Sequence, residues 1–367
     1  MNCTIFIKMV DKEDVGGWKK LGIFSLFLVF IMALAGCSSD EKGEAKGAKG
    51  GDLEVAIESA SFVLLGDDGE SIDPENEKNP LAVTLKVKNT SDSSLNVAAY
   101  SDIKVYDGEN QLAVEPIYDS SLGFEVSSSD EIGAGKAKNI TFIFSAEKEK
   151  EYEISVTPKN FASMEEKEEV IVKIDTAEYA ESFDNLNNPA KALAAFIETI
   201  YMDKENVDYE KLVAADKQAL QEEGLAAFTD SLEGHFYSMD ITKEDAAKQY
   251  AIYKSAMAQK ASVTVKTVEN ANGKAEVKLD YTSLPMSKMY DEIRDYQDEH
   301  YKNTGDYDNE KQDEYAFSKL DVIINSLEPK KGSRQIDIRM IEKDGKWTVD
   351  SEDYGAEELV NIFAEGR

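Results

Sequence analysis

The chain has 367 residues, with 41 basic against 73 acidic side chains and a net charge of −32 at pH 7. So acidic a chain lacks the basic surface that nucleic-acid binding needs, and its folded parts would be repelled by anionic lipid headgroups; cations and basic partners are the chemistry it attracts. Cys3 and Cys37 are the only cysteines, which excludes a disulfide scaffold and a cysteine-based zinc site.

The first feature along the chain is a short basic patch, Lys19-Lys20, followed by 13 uncharged residues from Leu21 to Ala33. That length suits the apolar region of a signal peptide. Leu34-Ala35-Gly36-Cys37 comes next, and this stretch resembles the bacterial lipobox. The resemblance implies a thioether-linked diacylglyceryl group on Cys37. It also implies cleavage between Gly36 and Cys37, which removes residues 1–36 as a lipoprotein signal peptide. The alternative is an uncleaved anchor, because the uncharged run to Ser39 reaches 19 residues. Its ending in Ala-Gly-Cys-Ser-Ser favours processing over spanning. Either way the remainder lies on the extracytoplasmic face, since the basic end stays inside. Asp11, Glu13 and Asp14 are unusual before such a patch, so translation from Met9 is an alternative start.

Residues 1–36 carry four lysines and three acids, so the remaining 331 residues carry −33. That length suits two domains. Lipidation of Cys37 would leave no free thiol, and no cofactor is expected beyond the covalent diacylglycerol. Residues 37–52, rich in Gly, Ser, Lys and Glu, read as a flexible tether. Its glycines and lysines lack the pattern of a phosphate loop.

Residues 53–175 alternate. Leu53, Val55 and Ile57 point one way. Leu81, Val83, Leu85 and Val87 alternate with polar neighbours, as do Ile103 with Val105, Ile140 with Phe142 and Phe144, Tyr152 with Ile154 and Val156, and Val170 with Val172 and Ile174. Period two with polar outer positions predicts about seven half-buried antiparallel strands, a β-sandwich. Val87-Lys88-Asn89-Thr90-Ser91 running into a turn, and Ile132-Gly133-Ala134-Gly135-Lys136 before a strand, resemble an immunoglobulin-like family of Gram-positive lipoproteins related to the mycobacterial immunoprotective extracellular protein. That resemblance implies an immunoglobulin-like fold and no active site. Asp67, Asp68, Glu70, Asp73, Glu75 and Glu77 crowd one loop. They lack the calcium-loop pattern, so a solvated acidic loop is favoured over a Ca²⁺ site.

Residues 176–187 have no clear period and read as a linker. Asn188-Pro189 then opens a helix, with Asn188 as N-cap and Leu193, Phe196, Ile197 and Ile200 on one face. Helical patterns follow over 209–215, 217–232 and, behind a capping box at Thr242–Asp245, through Met257. Val263 and Val265, then Val277, Leu279 and Tyr281, predict a hairpin turned by Asn272-Gly273. Residues 287–302 and 310–327 read as helices. Ile336–Met340 and Trp347–Val349 form a second hairpin around Asp344-Gly345, and 356–364 close with a helix. The fold class is therefore an all-β sandwich followed by an α+β domain over 188–367. The Asp344-Gly345-Lys346-Trp347 ending resembles the last hairpin of a nuclear-transport-factor-like, cystatin-type cone, and of an uncharacterised carboxy-terminal lipoprotein family. A cone implies a concave sheet face that serves some members as an enzyme pocket and others as a binding site.

No linear catalytic motif is present. His235 and His300 have no second ligand at metal spacing, so surface or capping roles are expected and no metal residue is assigned. Asp306-Tyr307-Asp308-Asn309-Glu310 is the most metal-like loop, but Lys311 stands where a calcium loop needs glycine. Tyr281, Tyr290, Tyr296, Tyr301, Tyr307 and Tyr315 cluster among acids. They suit a recognition surface or simply packed rings with exposed hydroxyls. The expectation is a lipid-anchored cell-membrane lipoprotein acting as a non-enzymatic binding module, with an envelope or protein partner and no catalytic residue. An enzyme using the concave pocket and a structural spacer are the alternatives.

Overall fold

A computed structural model describes residues 47–66, 77–117, 122–124 and 129–367. Residues Ala45–Arg367 form one compact unit. Cys37, Gly36 and the acidic loop, apart from Glu77, lie outside the described residues.

The amino-terminal part is an all-β antiparallel sandwich. One sheet runs in the order Gly47–Gly50, Leu53–Phe62, Lys78–Asn89, Ala137–Glu147 and Glu115–Pro116; a second runs Val170–Asp175, Glu151–Val156, Ile103–Asp107 and Asn110–Leu112; a short third one joins Lys159–Asn160, Leu95–Asn96 and Glu131–Ile132. The alternating residues do what their period demands. Leu53, Val55, Leu81, Val83, Leu85, Val87, Phe142, Val105, Ile154 and Val172 meet in one core.

Two expected boundaries are corrected. The tether does not reach residue 52 as an unpaired segment, because Gly47–Gly50 pairs antiparallel with Leu53–Ala56. Gly51, at φ +50°, makes the reversal that a side chain would strain. Composition misled here: backbone pairing along a strand edge needs no apolar side chain. The expected linker 176–187 is a 3₁₀ turn, Thr176–Tyr179, and a short helix, Ala180–Asp184. Phe183 meets Phe62 edge to face at 4.9 Å, and Leu186 is buried in the sandwich core.

The carboxy-terminal part is α+β. Its sheet runs Lys346–Val349, Ile336–Lys343, Lys274–Ser283, Ser262–Ala271 and Leu64–Leu65. The last strand comes from within the sandwich sequence. Asn272 and Gly273, and again Asp344 and Gly345, have positive φ, as two-residue hairpin turns require. The Asn188–Tyr201 helix lies across this sheet, with the Tyr354–Phe363 helix beside it. The N-cap of the first is Asn187, one residue earlier than expected, and its side chain makes no cap bond. Instead the Thr267 hydroxyl, from the sheet beneath, accepts the Ala190 N–H at 3.1 Å and donates to Asn187 Oδ1. Thr242 does cap its helix, accepting the Asp245 N–H. The 209–215 pattern gives only a single helical turn, Tyr209–Leu212. Val213 then bridges to Trp347 as extended backbone. The 310–327 pattern breaks at Ser318-Lys319 into Asn309–Phe317 and Leu320–Ser326.

Candidate interaction surface

One face of the carboxy-terminal sheet is covered by helices. Val277, Leu279, Ile338 and Met340 pack into a core with Ala192, Leu193, Phe196 and Ile200 from one helix and Leu359, Ile362 and Phe363 from the other.

The polar chemistry concentrates on the hairpin of helices Met289–Thr304 and Asn309–Phe317. Met289 and Ile293 anchor the first helix in the core. Gly305 ends it in the left-handed conformation, φ +68°, the usual helix stop. Asp308 caps the second helix through the Glu310 N–H. Asp306 accepts the Asp308 N–H at 3.1 Å and the Lys311 ammonium at 2.8 Å. Lys311 holds the Asp306 carboxyl below the ordinary aspartate value. The carboxylates that looked metal-like thus serve the turn. Among the described residues no group of three or more His, Cys, Asp or Glu could hold a metal ion. Behind the face, buried Asp313 accepts the Gln297 side-chain amide at 2.6 Å and the Ser238 N–H at 2.8 Å. That locks the hairpin to the loop after the Lys217–Glu233 helix.

Five of the six singled-out tyrosines share this hairpin. Tyr301 and Tyr307 pack with tilted rings, centroids 4.4 Å apart, and bond through their hydroxyls. Tyr315 meets Tyr296 and His300 at 6.5 and 5.3 Å, and donates to Glu299 Oε1 at 3.2 Å. Desolvation and Glu299 push the Tyr315 phenol up. Lys319 Nζ stands 5.2 Å from the Tyr315 ring centre. Tyr290 and Tyr307 are 54% and 75% exposed. Tyr281 does not join them: it packs edge-on against Phe363 and under Gly332. Strand alternation points it at the closing helix, and proximity in sequence hid that. His300 Nε2 is buried with no hydrogen-bond partner. His235 follows a helix end, as expected, and burial lowers its pKa. The rings pack on one another and still leave Tyr290 and Tyr307 outward.

Comparison with known proteins adds kinship. The model of the domain of unknown function DUF5105 matches residues 179–364, and that of the domain of unknown function DUF4352 matches residues 45–167. The uncharacterized lipoprotein YcdA of Bacillus subtilis (strain 168) is 26% identical over 359 residues, spanning 94% of this chain and 98% of its own. A crystal structure of ycdA from Bacillus subtilis subsp. subtilis str. 168 superposes with a TM-score of 0.64 at 24% identity. It covers 87% of this chain and 99% of that one, a likeness of fold. Among the described residues no helix is long and apolar enough to cross a membrane.

Proposed function

The chain belongs to the family of the domain of unknown function DUF5105, and from that premise we propose that it is a lipid-anchored binding protein of the extracytoplasmic face, recognising a partner rather than turning over a substrate. The anchor is a diacylglyceryl group on Cys37, exposed by cleavage after Gly36. The lipobox and the kinship with a lipoprotein support it. Two or more acyl chains hold a protein stably where one holds marginally. Residues 1–36 are the signal peptide. The domains are an immunoglobulin-like sandwich and a cone-derived α+β module with two helices packed on its sheet. The net charge of −32 speaks for a non-nucleic-acid partner from the envelope.

The observation that carries the binding reading is the tyrosine face, built on a hairpin fixed from behind by Asp313. Rigid amphipathic rings give contact area at low entropy cost and are enriched at interfaces. Cys37→Ala should release the protein from the membrane fraction and abolish labelling by a fatty-acid analogue; unchanged retention and mass would sink the anchor. A soluble chain beginning at Ala45, so that the Gly47–Gly50 strand is kept, should capture a partner from envelope extract. Tyr290→Ala with Tyr307→Ala should weaken that capture at least about tenfold, since a hot-spot aromatic at an interface carries about 2 kcal/mol or more. Capture indifferent to both changes would remove the face from the proposal.

A further inference from the structure

A second feature shares no residue with the tyrosine face. The Lys217–Glu233 helix, the Lys346–Val349 strand and the closing Tyr354–Phe363 helix bound a groove of about 610 Å³, a volume typical of small-molecule sites. Phe196, Leu220 and Val360 give it apolar walls, and Tyr201, Glu223 and Glu357 also line it.

Three properties of these side chains are unusual together. Tyr201 is only 2% exposed, yet its hydroxyl makes no hydrogen bond among the described residues; only its ring is engaged, stacked on Phe363 at 5.9 Å and edge-on to Phe196 at 6.1 Å. That leaves the hydroxyl open to an occupant of the groove it lines. Burial and the nearby Glu223 charge push the phenol far up, so it is neutral and offers both a donor and a lone pair. Glu223 and Glu357 have no ion pair or hydrogen bond among the described residues. Other carboxylates of the groove are committed: Asp216 caps its helix and Glu365 pairs with Arg367 at 2.6 Å. Lys343 is the one lysine of the lining, so the groove has an anionic surplus that rejects carboxylates and phosphates.

We propose that this groove binds a small aliphatic amine, its ammonium held by Glu223 and the Tyr201 hydroxyl and its carbon chain laid along Leu220 and Val360. An ammonium is the group these walls complement. It gives Glu223 the missing counter-charge, donates to the unpartnered phenol oxygen and gains from the aromatic faces. The alkyl chain covers apolar wall that a bare metal ion would leave wet. The acidity of the whole molecule raises the local cation concentration at the mouth.

The test is calorimetric titration of the full-length protein in neutral detergent with 1,5-diaminopentane, and with pentanoate as the anionic control. Saturable one-to-one binding is expected for the diamine and none for pentanoate. Glu223→Gln should weaken it at least about tenfold, the scale of a charge-assisted hydrogen bond. Tyr201→Phe should weaken it by a smaller factor. Ala219→Trp fills the groove and keeps every carboxylate, so it should abolish binding while near-ultraviolet circular dichroism stays native. Non-saturable heat, or affinity unchanged in Glu223→Gln and Ala219→Trp, would mean diffuse attraction to an acidic surface and would overturn the proposal. That failure would leave the tyrosine-face reading untouched, and the reverse also holds.

Discussion

Glu276 shows how much a single position depends on neighbours that are remote in sequence. It stands half-buried on the Lys274–Ser283 strand, opposite Glu269 on one side and Arg339 on the other. Burial first, then the charges of Asp337 and Glu269, hold its carboxyl above the ordinary value of 4.5, although Arg339 and Lys278 pull the other way. The linkage sign follows. As pH falls through the raised value, the folded chain takes up a proton that the unfolded chain takes up only near 4.5. Stability from this group is therefore fully present below 4.5 and lost as pH rises through the folded value. Glu276→Gln should thus stabilise the protein at pH 7, by about 0.5 kcal/mol once solvent screening of a half-exposed group is allowed for. The advantage should vanish at pH 4. Urea midpoints at the two pH values check this, and an equal gain at both would contradict the burial origin.

Among the elements, the Lys217–Glu233 helix carries an internal Gly224 that propensity alone would call a flaw, costing about 0.5–1 kcal/mol against alanine. Packing reverses that judgement. A Cβ at 224 would stand 2.6 Å from the Tyr250 hydroxyl and 3.5 Å from Tyr250 Cζ. The hydroxyl is itself buried without a hydrogen-bond partner. Gly224→Ala should therefore destabilise by about 1–2 kcal/mol through overpacking. Tyr250→Phe should be neutral or stabilising by about 1 kcal/mol, because it removes an unsatisfied group. In the Tyr250→Phe background Gly224→Ala should turn stabilising. A double-mutant cycle of denaturant midpoints reads the coupling; additivity would show that the two atoms do not collide.

The same contrast marks what could be read in advance. Strand alternation, the Asn272-Gly273 and Asp344-Gly345 turns and the Thr242 cap were legible because each depends on residues within a few positions. The Thr267 hydroxyl that closes the Asn188–Tyr201 helix sits 77 residues from the N–H it accepts, so no local pattern announces it. The break at Ser318-Lys319 escaped because the apolar residues on either side keep helical spacing across it. Nothing in the sequence marks Tyr201: only the structure reveals a phenol with no hydrogen-bond partner lining a groove.

For the whole molecule, two domains joined by a linker at 176–187 would imply two independent folding units. The strand Leu64–Leu65 leaves the sandwich sequence and pairs with Glu269 and Asn270 of the carboxy-terminal sheet. Phe62 N–H donates to the Ser182 hydroxyl at 2.9 Å, Asn270 Nδ2 to Leu186 O at 3.0 Å and Asn272 Nδ2 to Leu122 O at 2.9 Å. Val63, Ala82, Leu122, Ile143 and Ala271 bury one another between the two parts. That explains why Ala82 and Ile143, on the nominally outer face of their strands, are apolar; alternation treats such positions as noise. An interface of paired backbone, capped amides and buried aliphatics couples the two cores, so calorimetry should record one cooperative transition rather than two. Ile143→Ala removes aliphatic surface from the seam and should cost about 2–4 kcal/mol. Because neither core cluster contains Ile143, the loss should fall on the coupling and split the transition into two. Protease should then cut near residues 176–187 in the variant while sparing the parent, where that segment is helical and packed. Two well-separated transitions in the parent chain would restore the independent modules.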